Sequence, residues 1–543
     1  MKTFAKTLIF TLLAVMLSGA AFAQKNIISG QVIDMNGNPL VGVTVMVEDS
    51  AVGTSTNRNG EFSIVAKPSD KLVFSYLGYA DYTVPVGNQS RIVATLKDDA
   101  QVIEDIVVEV GYGRQSIKDV TGAATNVKLH DMLKAPTLTF DQSLQGRIAG
   151  VSVTSSDGQP GSDMEIVIRG ANSLTQSNSP LYVVDGFPIE DFAAAAINPV
   201  DIESMVILKD ASATAIYGSR AANGVIVIET KKGIEGKPTI TYGTTMGIQQ
   251  VTKKMEMMDA YDFVAYQLER LGTSAEDKYL NNLGRVLDDY HDVPTIDMQD
   301  RLFRNGMIQM HNLSLAGGTK DTKYSISGSY ANQEGVIVAS GYEKLQGRFA
   351  FTQQINSKLK LNLNVNYTQT TTTGQTASTT QTDSNQYASY MMYRCWAFRP
   401  VWLNGEFDED ELFDDEEGNI SSATMNPIVS AQNEYKVTGV NTFMSNAALY
   451  WELTDNLRLT VRGGYTAKDT KAEEFNNEYT YRGYPTVNNN KGINGSWNYT
   501  GREDWMNENT LTWKKKINKH HSFDLLGGVT IQGTTTEKFG FNS

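Results

Sequence analysis

The second half of the chain alternates apolar and polar residues with a period of two, and this constrains the fold more than any other feature. Leu359, Leu361, Leu363, Val365 and Tyr367 are apolar, while Lys360, Asn362, Asn364, Asn366 and Thr368 between them are polar. The same dyad recurs at 240–249, 324–330, 457–465 and 523–531, with Arg458, Thr460 and Arg462 taking the polar side of the 457–465 run. Successive side chains of a strand point to opposite faces, so such runs build a sheet with one apolar and one polar wall. A soluble antiparallel sheet alternates too. The connections favour a transmembrane barrel: short ones (317–322, 355–358, 454–456, 515–522) interleave with long ones (251–308, 331–345, 370–441, 467–506). Short turns at one end and long loops at the other are the barrel arrangement, with lipid outside and an aqueous lumen inside.

The N-terminus supplies the compartment. Lys2 and Lys6 precede an apolar stretch from Thr7 to Leu17, and Ala21-Phe22-Ala23 forms a small-x-small cleavage site before Gln24. This reads as a secretory signal peptide over residues 1–23, cut between Ala23 and Gln24. No cysteine follows the cut, which excludes a lipid anchor there, and no later apolar run is long enough for a transmembrane helix. An exported chain of this kind is either soluble outside the cytoplasm or a barrel in an outer membrane.

Composition narrows the chemistry. Lys plus Arg total 47 against 61 Asp plus Glu, and the net charge of −14 argues against nucleic acid as a partner. The single cysteine, Cys395, excludes a disulfide framework and a multi-cysteine metal site, and the five histidines lack zinc-hydrolase spacing. No nucleophile–base pair, phosphate loop or metal constellation stands out. No catalytic residue, cofactor or metal ligand is therefore assigned, and the chain is expected not to be an enzyme.

Between the signal peptide and the alternating half lie two smaller domains. From Ile27 to Leu96, short β-branched runs (41–47, 62–65, 72–76) are separated by Asp34-Met35-Asn36-Gly37-Asn38-Pro39, Asn57-Arg58-Asn59-Gly60 and Leu77-Gly78-Tyr79. Strands at this spacing predict a small β-sandwich over 24–98. From 114 to 233, predicted strands at 151–154, 165–169, 181–184, 201–208 and 224–230, with a short helical piece at 211–216, make an α+β domain. Arg147, Arg169 and Arg220 lie beside glycines or strand ends, where a guanidinium can pair with a carboxylate or a carbonyl.

Three strings in this second domain carry a resemblance: LQGRIAGVSVTSSDGQPGSDMEIVIRGANSL from Leu144, SPLYVVDGFPI from Ser179, and INPVDIESMVILKDASATAIYGSRAANGVIVIETKKG from Ile197. They closely resemble the plug of TonB-dependent outer-membrane receptors of the SusC/RagA group, in order and at matching spacing. The residues carrying the motif are Gly146, Arg147, Gly150, Arg169, Gly170, Asp185, Gly186, Lys209, Asp210, Tyr217, Gly218, Arg220 and Gly224. Their expected role is to hold the plug together; Asp185-Gly186 and Lys209-Asp210 are the candidates for a substrate face. The run GQVIDMNGNPLVGVTVMV, with TNRNGEFSI and LVFSYLGY, looks like a carboxypeptidase-regulatory-like domain, a transthyretin-type sandwich. No zinc ligands accompany it, so no peptidase is implied.

The linker at 99–113 contains Glu104, Asp105, Ile106, Val107, Val108, Glu109 and Val110, then Gly111-Tyr112-Gly113. A β-branched stretch favours the extended conformation, and flanking acids and glycines keep it from locking into a neighbour. Such a segment can add as a strand to a partner's sheet edge through backbone hydrogen bonds. It resembles the family's TonB-box region, although Glu109 interrupts the valine run. The alternatives are the last strand of the sandwich or the first of the plug.

The expected architecture is thus mainly β: a sandwich, an α+β plug, and at 234–543 the N-terminal part of a large transmembrane barrel with about nine strands. A globule of plug size is roughly 35 Å across, whereas nine to twelve strands enclose only about 18–24 Å and about 22 strands roughly 44 Å. The barrel is therefore expected to be truncated here. The resemblance implies import of an oligosaccharide or peptide across the outer membrane of a Gram-negative bacterium. It also implies a pull from TonB with its inner-membrane energising complex, and a SusD-like surface lipoprotein over the mouth. The rival classes are a signal-transducing outer-membrane receptor, against which the all-β pattern of 27–96 speaks, and an exported β-rich adhesin. Two further features have no assigned role: the acidic run 406–417, read as a solvated outer loop that lacks calcium-loop spacing, and the aromatic cluster Tyr390, Tyr393, Trp396, Phe398 and Trp402 around Cys395.

Overall fold

The computed structural model describes residues 26–96, 107–110, 113–116, 124–127, 132 and 137–543, apart from 36, 49, 51, 77–78, 156–157, 163, 176, 211–214, 375–390, 404–424, 486–491 and 518–520. The chain divides into two units, one essentially the residues before Val108 and the other the rest. The signal sequence, with its cleavage site at Ala23 and Gln24, and the acidic run 406–417 lie outside the described residues.

The first unit is a sandwich of β1 (Asn26–Ile33), β2 (Thr44–Val47), β3 (Gly53–Ser55), β4 (Glu61–Ala66), β5 (Lys71–Tyr76), β6 (Tyr79–Pro85) and β7 (Arg91–Thr95). One sheet has the order β4-β1-β7 and the other β3-β2-β5-β6. Alternate residues of each strand fill a core of Ile28, Val32, Val45, Phe62, Ile64, Leu72, Phe74 and Ile92, with the Phe62 and Phe74 rings edge to face at 5.3 Å. Buried Thr56 ties the loops, accepting from the Val43 amide at 2.9 Å and donating to the Leu40 carbonyl at 2.7 Å. β5 ends at Tyr76 and β6 opens at Tyr79, with 77 and 78 between them outside the described residues.

The second unit begins with β8 (Val107–Val110) and β9 (Gly113–Ser116), which among the described residues pair only with each other. The plug follows: β10 (Ala124–Asn126), helix α1 (Phe140–Leu144), β11 (Val151–Ser155), β12 (Met164–Ile168), β13 (Leu181–Val184), β14 (Phe187–Ile189), β15 (Ile202–Leu208) and β16 (Val225–Thr230). Five of these form one sheet, β10-β15-β16-β13-β14, while β11 and β12 make a separate hairpin. β15 and β16 are apolar throughout their centres because the sheet is covered on both faces. The helical piece is a 3₁₀ stretch, Ala215–Ala221, kinked at Gly218.

Nine strands then run as one antiparallel meander: β17 (Gly236–Gln249), β18 (Gly306–Gly318), β19 (Thr322–Glu334), β20 (Gly341–Asn356), β21 (Leu359–Thr373), β22 (Glu434–Thr454), β23 (Leu457–Asn476), β24 (Asn494–Lys516) and β25 (Ser522–Asn542). The outward face carries exposed Tyr330, Tyr367, Phe443, Tyr465 and Trp505 as one aromatic row, and Trp451 lies eight residues down β22 from Phe443. At about 3.4 Å per residue and a tilt of about 40°, that spacing is roughly 21 Å of height, close to the apolar band of an outer-membrane barrel. The strands run further past this row than the dyad pattern suggests. The expected loops 331–345 and 467–506 contract to 335–340 and 477–493, because ladder pairing continues there between polar residues.

The first long loop is not irregular. It folds into α2 (Ala260–Leu271), α3 (Thr273–Tyr279) and α4 (Met298–Leu302), and packs with the segment around α5 (Met391–Ala397) and α6 (Pro427–Asn433). Asp259 caps α2 by accepting from the Asp262 amide at 2.8 Å.

Candidate functional site

The plug is seated on the lumen face of the barrel wall, chiefly by hydrogen bonds. The Ala196 carbonyl accepts three of them, from Asn366 Nδ2 (2.6 Å), Gln346 Nε2 (3.1 Å) and Thr368 Oγ1 (3.2 Å). Buried Arg348 of β20 donates through Nη2 to Thr230 Oγ1 at 2.5 Å and to the Lys231 carbonyl at 2.7 Å. The Thr230 hydroxyl in turn donates a hydrogen bond to Asp185 Oδ2 at 2.7 Å, while its amide donates to Asp185 Oδ1 at 2.9 Å. Ser327 donates to Asp201 at 2.9 Å and Asn198 to Asn312 at 2.6 Å. On the far wall Lys468 meets Asp191 at 3.2 Å and Arg220 donates to Gln532 at 2.8 Å. Shape adds to this polarity: a Cβ on Gly464 of β23 would stand 2.4 Å from the ring of plug residue Phe187, so only glycine lets that ring lie flat on the wall.

The plug motif residues sit largely where chain reversals need them. Asp185 has φ 49° and Gly186 φ 88° in the β13–β14 turn, and the Thr230 hydrogen bonds hold that left-handed aspartate in place. Gly146, Gly150, Gly170, Gly218 and Gly224 also have positive φ, and a Cβ on Gly224 would meet Ile168 at 2.8 Å. Arg169, at φ 58°, donates its amide to the Gly150 carbonyl at 2.9 Å, and Lys209 donates to the Ala149 carbonyl at 2.5 Å. Lys209 is held below the usual ammonium range, first by lost hydration and then by the nearby Arg169. Tyr217 is buried, Arg147 exposed, and Asp210 half-buried beside Lys209. Asp141, buried in α1, is raised above the usual carboxylate range by loss of water despite hydrogen bonds from the Met164 and Gln142 amides.

Of the TonB-box candidate, Glu104, Asp105 and Ile106 lie outside the described residues, whereas Val107, Val108, Glu109 and Val110 form β8. This strand belongs neither to the sandwich sheets nor to the plug sheet. It is one side of the small hairpin with β9. A two-stranded hairpin is marginal in water, and among the described residues each of its strands keeps one unpaired edge.

The outer loops are tied by a buried ion pair. Arg394 of α5 and Glu434 at the start of β22 are each 2% exposed and 3.2 Å apart. Arg394 also donates to Ser430 at 2.6 Å and lies over the Tyr481 ring. Next to it Cys395 is buried, and its thiol is pushed up to about 12 by burial, with the Asp297 carboxylate adding to the effect. The native protein is therefore expected to take up no maleimide at pH 8, while the denatured chain takes up one label. Because the unfolded thiol ionises near 9 and the folded one near 12, this group withdraws stability as pH rises through that window.

Sequence reasoning missed the seat itself: Ala196, Asn198, Thr230, Ser327, Gln346 and Arg348. The available signal was a pair of cations, Lys344 and Arg348, on one face of β20.

Comparison with known proteins agrees with this geometry. Residues 116–225 match the TonB-dependent receptor plug domain, and residues 28–108 match the CarboxypepD_reg-like domain. The chain is 36% identical over 359 residues to the TonB-dependent receptor SusC of Bacteroides thetaiotaomicron, covering 65% of this chain and 34% of that protein. It is 31% identical over 524 residues to the TonB-dependent receptor P3 of Formosa agariphila, covering 95% of this chain and 49% of that one. The chain carries the plug domain of TonB-dependent receptors and is homologous to them. It spans half or less of the length of these curated relatives. The same fold is found in a solved structure, the RagAB peptide importer in its open-open state. There the TM-score is 0.64 at 24% identity, over 80% of this chain and 50% of that one.

Proposed function

We propose that the full-length receptor imports a nutrient, an oligosaccharide or a peptide, across the outer membrane of a Gram-negative bacterium. Energy enters when TonB, driven by its inner-membrane complex, adds a strand to the segment 104–110 and pulls. The plug shifts on its seat and opens a path through the lumen, while a SusD-like surface lipoprotein covers the outer mouth. No covalent chemistry is involved, so the chain acts as a transporter and not as an enzyme.

The observation that carries this reading is the chemistry of the seat. Water can replace the hydrogen bonds to Ala196, Thr230 and Asp201 one by one. A plug held by apolar packing alone would expose that surface on moving and would resist far more strongly. A strain lacking the receptor is expected to lose growth on one nutrient among a panel of oligosaccharides and peptides offered as sole source. Undiminished growth on the whole panel would contradict import.

A further inference from the structure

Resting on the import reading, we propose that the translocation path runs along the lumen face of β21. The substrate it passes is a neutral chain of hydrogen-bonding groups, either sugar hydroxyls or peptide amides.

Three cavities line up on that strand. The first, about 240 Å³, lies at the short-turn end between Lys358, Lys360, Tyr450 and Arg458. The second, about 20 Å³, shares Tyr450 with it and is lined by Asn362, Asn364 and Asn446 on the barrel side and by Asp185, Glu229 and Lys232 on the plug side. The third, also about 20 Å³, shares Asn364, Asn446 and Asp185 with the second and reaches Asn366, Arg348 and Thr230. The column thus follows every second residue of β21 from Lys360 to Asn366, the period of one strand face, with Lys358 just before the strand. Each small cavity has room for about one water. Two buried polar atoms on the seam have no protein partner: Asn362 Oδ1, and Nη1 of Arg348, whose side chain is only 6% exposed. An unpartnered buried guanidinium nitrogen is costly unless water or another polar group reaches it. The seam is therefore wet, and it is shut above by the Ala196 carbonyl with its three donors and beside that by Arg348 on Thr230 and Lys231.

The side chains on this wall set the ligand chemistry. Asn362, Asn364 and Asn446 offer carboxamides, which donate and accept at once and carry no charge. Asn362 and Asn364 stand about 6.8 Å apart along β21, with Asn446 of β22 paired opposite Asn364, and together they can exchange partners with a sliding chain of hydroxyls or amides without trapping an ion. The alternation of Leu359 to Thr368 then has two purposes, an apolar outer wall and a carboxamide track within.

Cys395 is buried, and the reporters are introduced into the full-length receptor with every other native cysteine changed to serine. In cells carrying the full-length receptor, Asn362→Cys and Asn364→Cys should label with a membrane-impermeant maleimide about tenfold faster when the inner membrane is energised than after an uncoupler, the response to a shift of about 1.4 kcal/mol in an opening equilibrium. Ser314→Cys on β18 and Thr466→Cys on β23 should show little change. A response at β18 or β23 but not at β21 would overturn the path while sparing the import reading. No response at any position would overturn both. Uptake of a fluorescently tagged neutral oligosaccharide and of a tagged neutral peptide identifies the source. Asn362→Leu with Asn364→Leu should slow whichever probe the wild type imports by about tenfold, and Asn362→Gln with Asn364→Gln should retain uptake. Uptake of neither probe by the wild type, or full uptake by the leucine pair, would overturn the ligand class.

Discussion

Replacing Val107 and Val108 together by proline is expected to abolish nutrient uptake by the full-length receptor while leaving surface binding and barrel assembly intact. Neighbouring residues of a strand direct their amides to opposite edges, so two adjacent prolines remove one donor from each edge of β8. Whichever edge the energising partner uses, its ladder is broken there. The effect does not require loss of the receptor: the pair lies in the small β8–β9 hairpin, outside the plug sheet and the barrel meander. Uptake in cells, measured beside surface-bound nutrient and receptor abundance, separates the outcomes. Normal import by the double variant would place the coupling segment elsewhere.

The second large effect concerns the outer loops. Arg394→Leu leaves Glu434 as a buried carboxylate without its cation, an imbalance that costs about 3–5 kcal/mol in comparable sites. Arg394 joins α5 to α6 and to the segment around Tyr481, so loss of the pair should loosen all three together. Amide hydrogen exchange in 427–434 and 478–484 is expected to quicken by roughly a hundredfold or more, with the plug sheet unaffected. Arg394→Leu combined with Glu434→Leu should recover most of the protection, because no lone charge then remains. Unchanged exchange in the single variant would mean that the pair contributes nothing to loop order.

Much of this architecture was legible in the residues because two solvents meet along each barrel strand. Lipid outside and water inside write a period of two into Leu359–Thr368 and Leu457–Tyr465, and the pattern gives each residue's face directly. The plug was legible differently, through glycines and an aspartate that the chain reversals at 146–150, 185–186 and 218–224 demand. What stayed hidden depends on residues far apart in sequence. Arg348 and Thr230 are separated by 118 positions, and Asn366 and Ala196 by 170, so no local pattern shows that they meet. The helices of the 251–308 loop were missed because attention to dyads passed over the Asp259 cap and the helical spacing of Ala260, Val264 and Gln267, all buried on one face of α2. Strand length was underestimated for a related reason. Above the aromatic row both faces of β22 to β24 meet water or polar loops, and the apolar half of the alternation fades while backbone pairing continues.

Energised passage through a seated plug can be tested most directly by the initial rate of nutrient uptake into cells carrying the full-length receptor, taken before and after an uncoupler collapses the inner-membrane gradient. Internalisation should stop while surface-bound nutrient stays constant, because the seat holds the plug closed unless it is pulled. Uptake that continues undiminished after collapse would contradict the account, since nutrient would then be crossing an open pore.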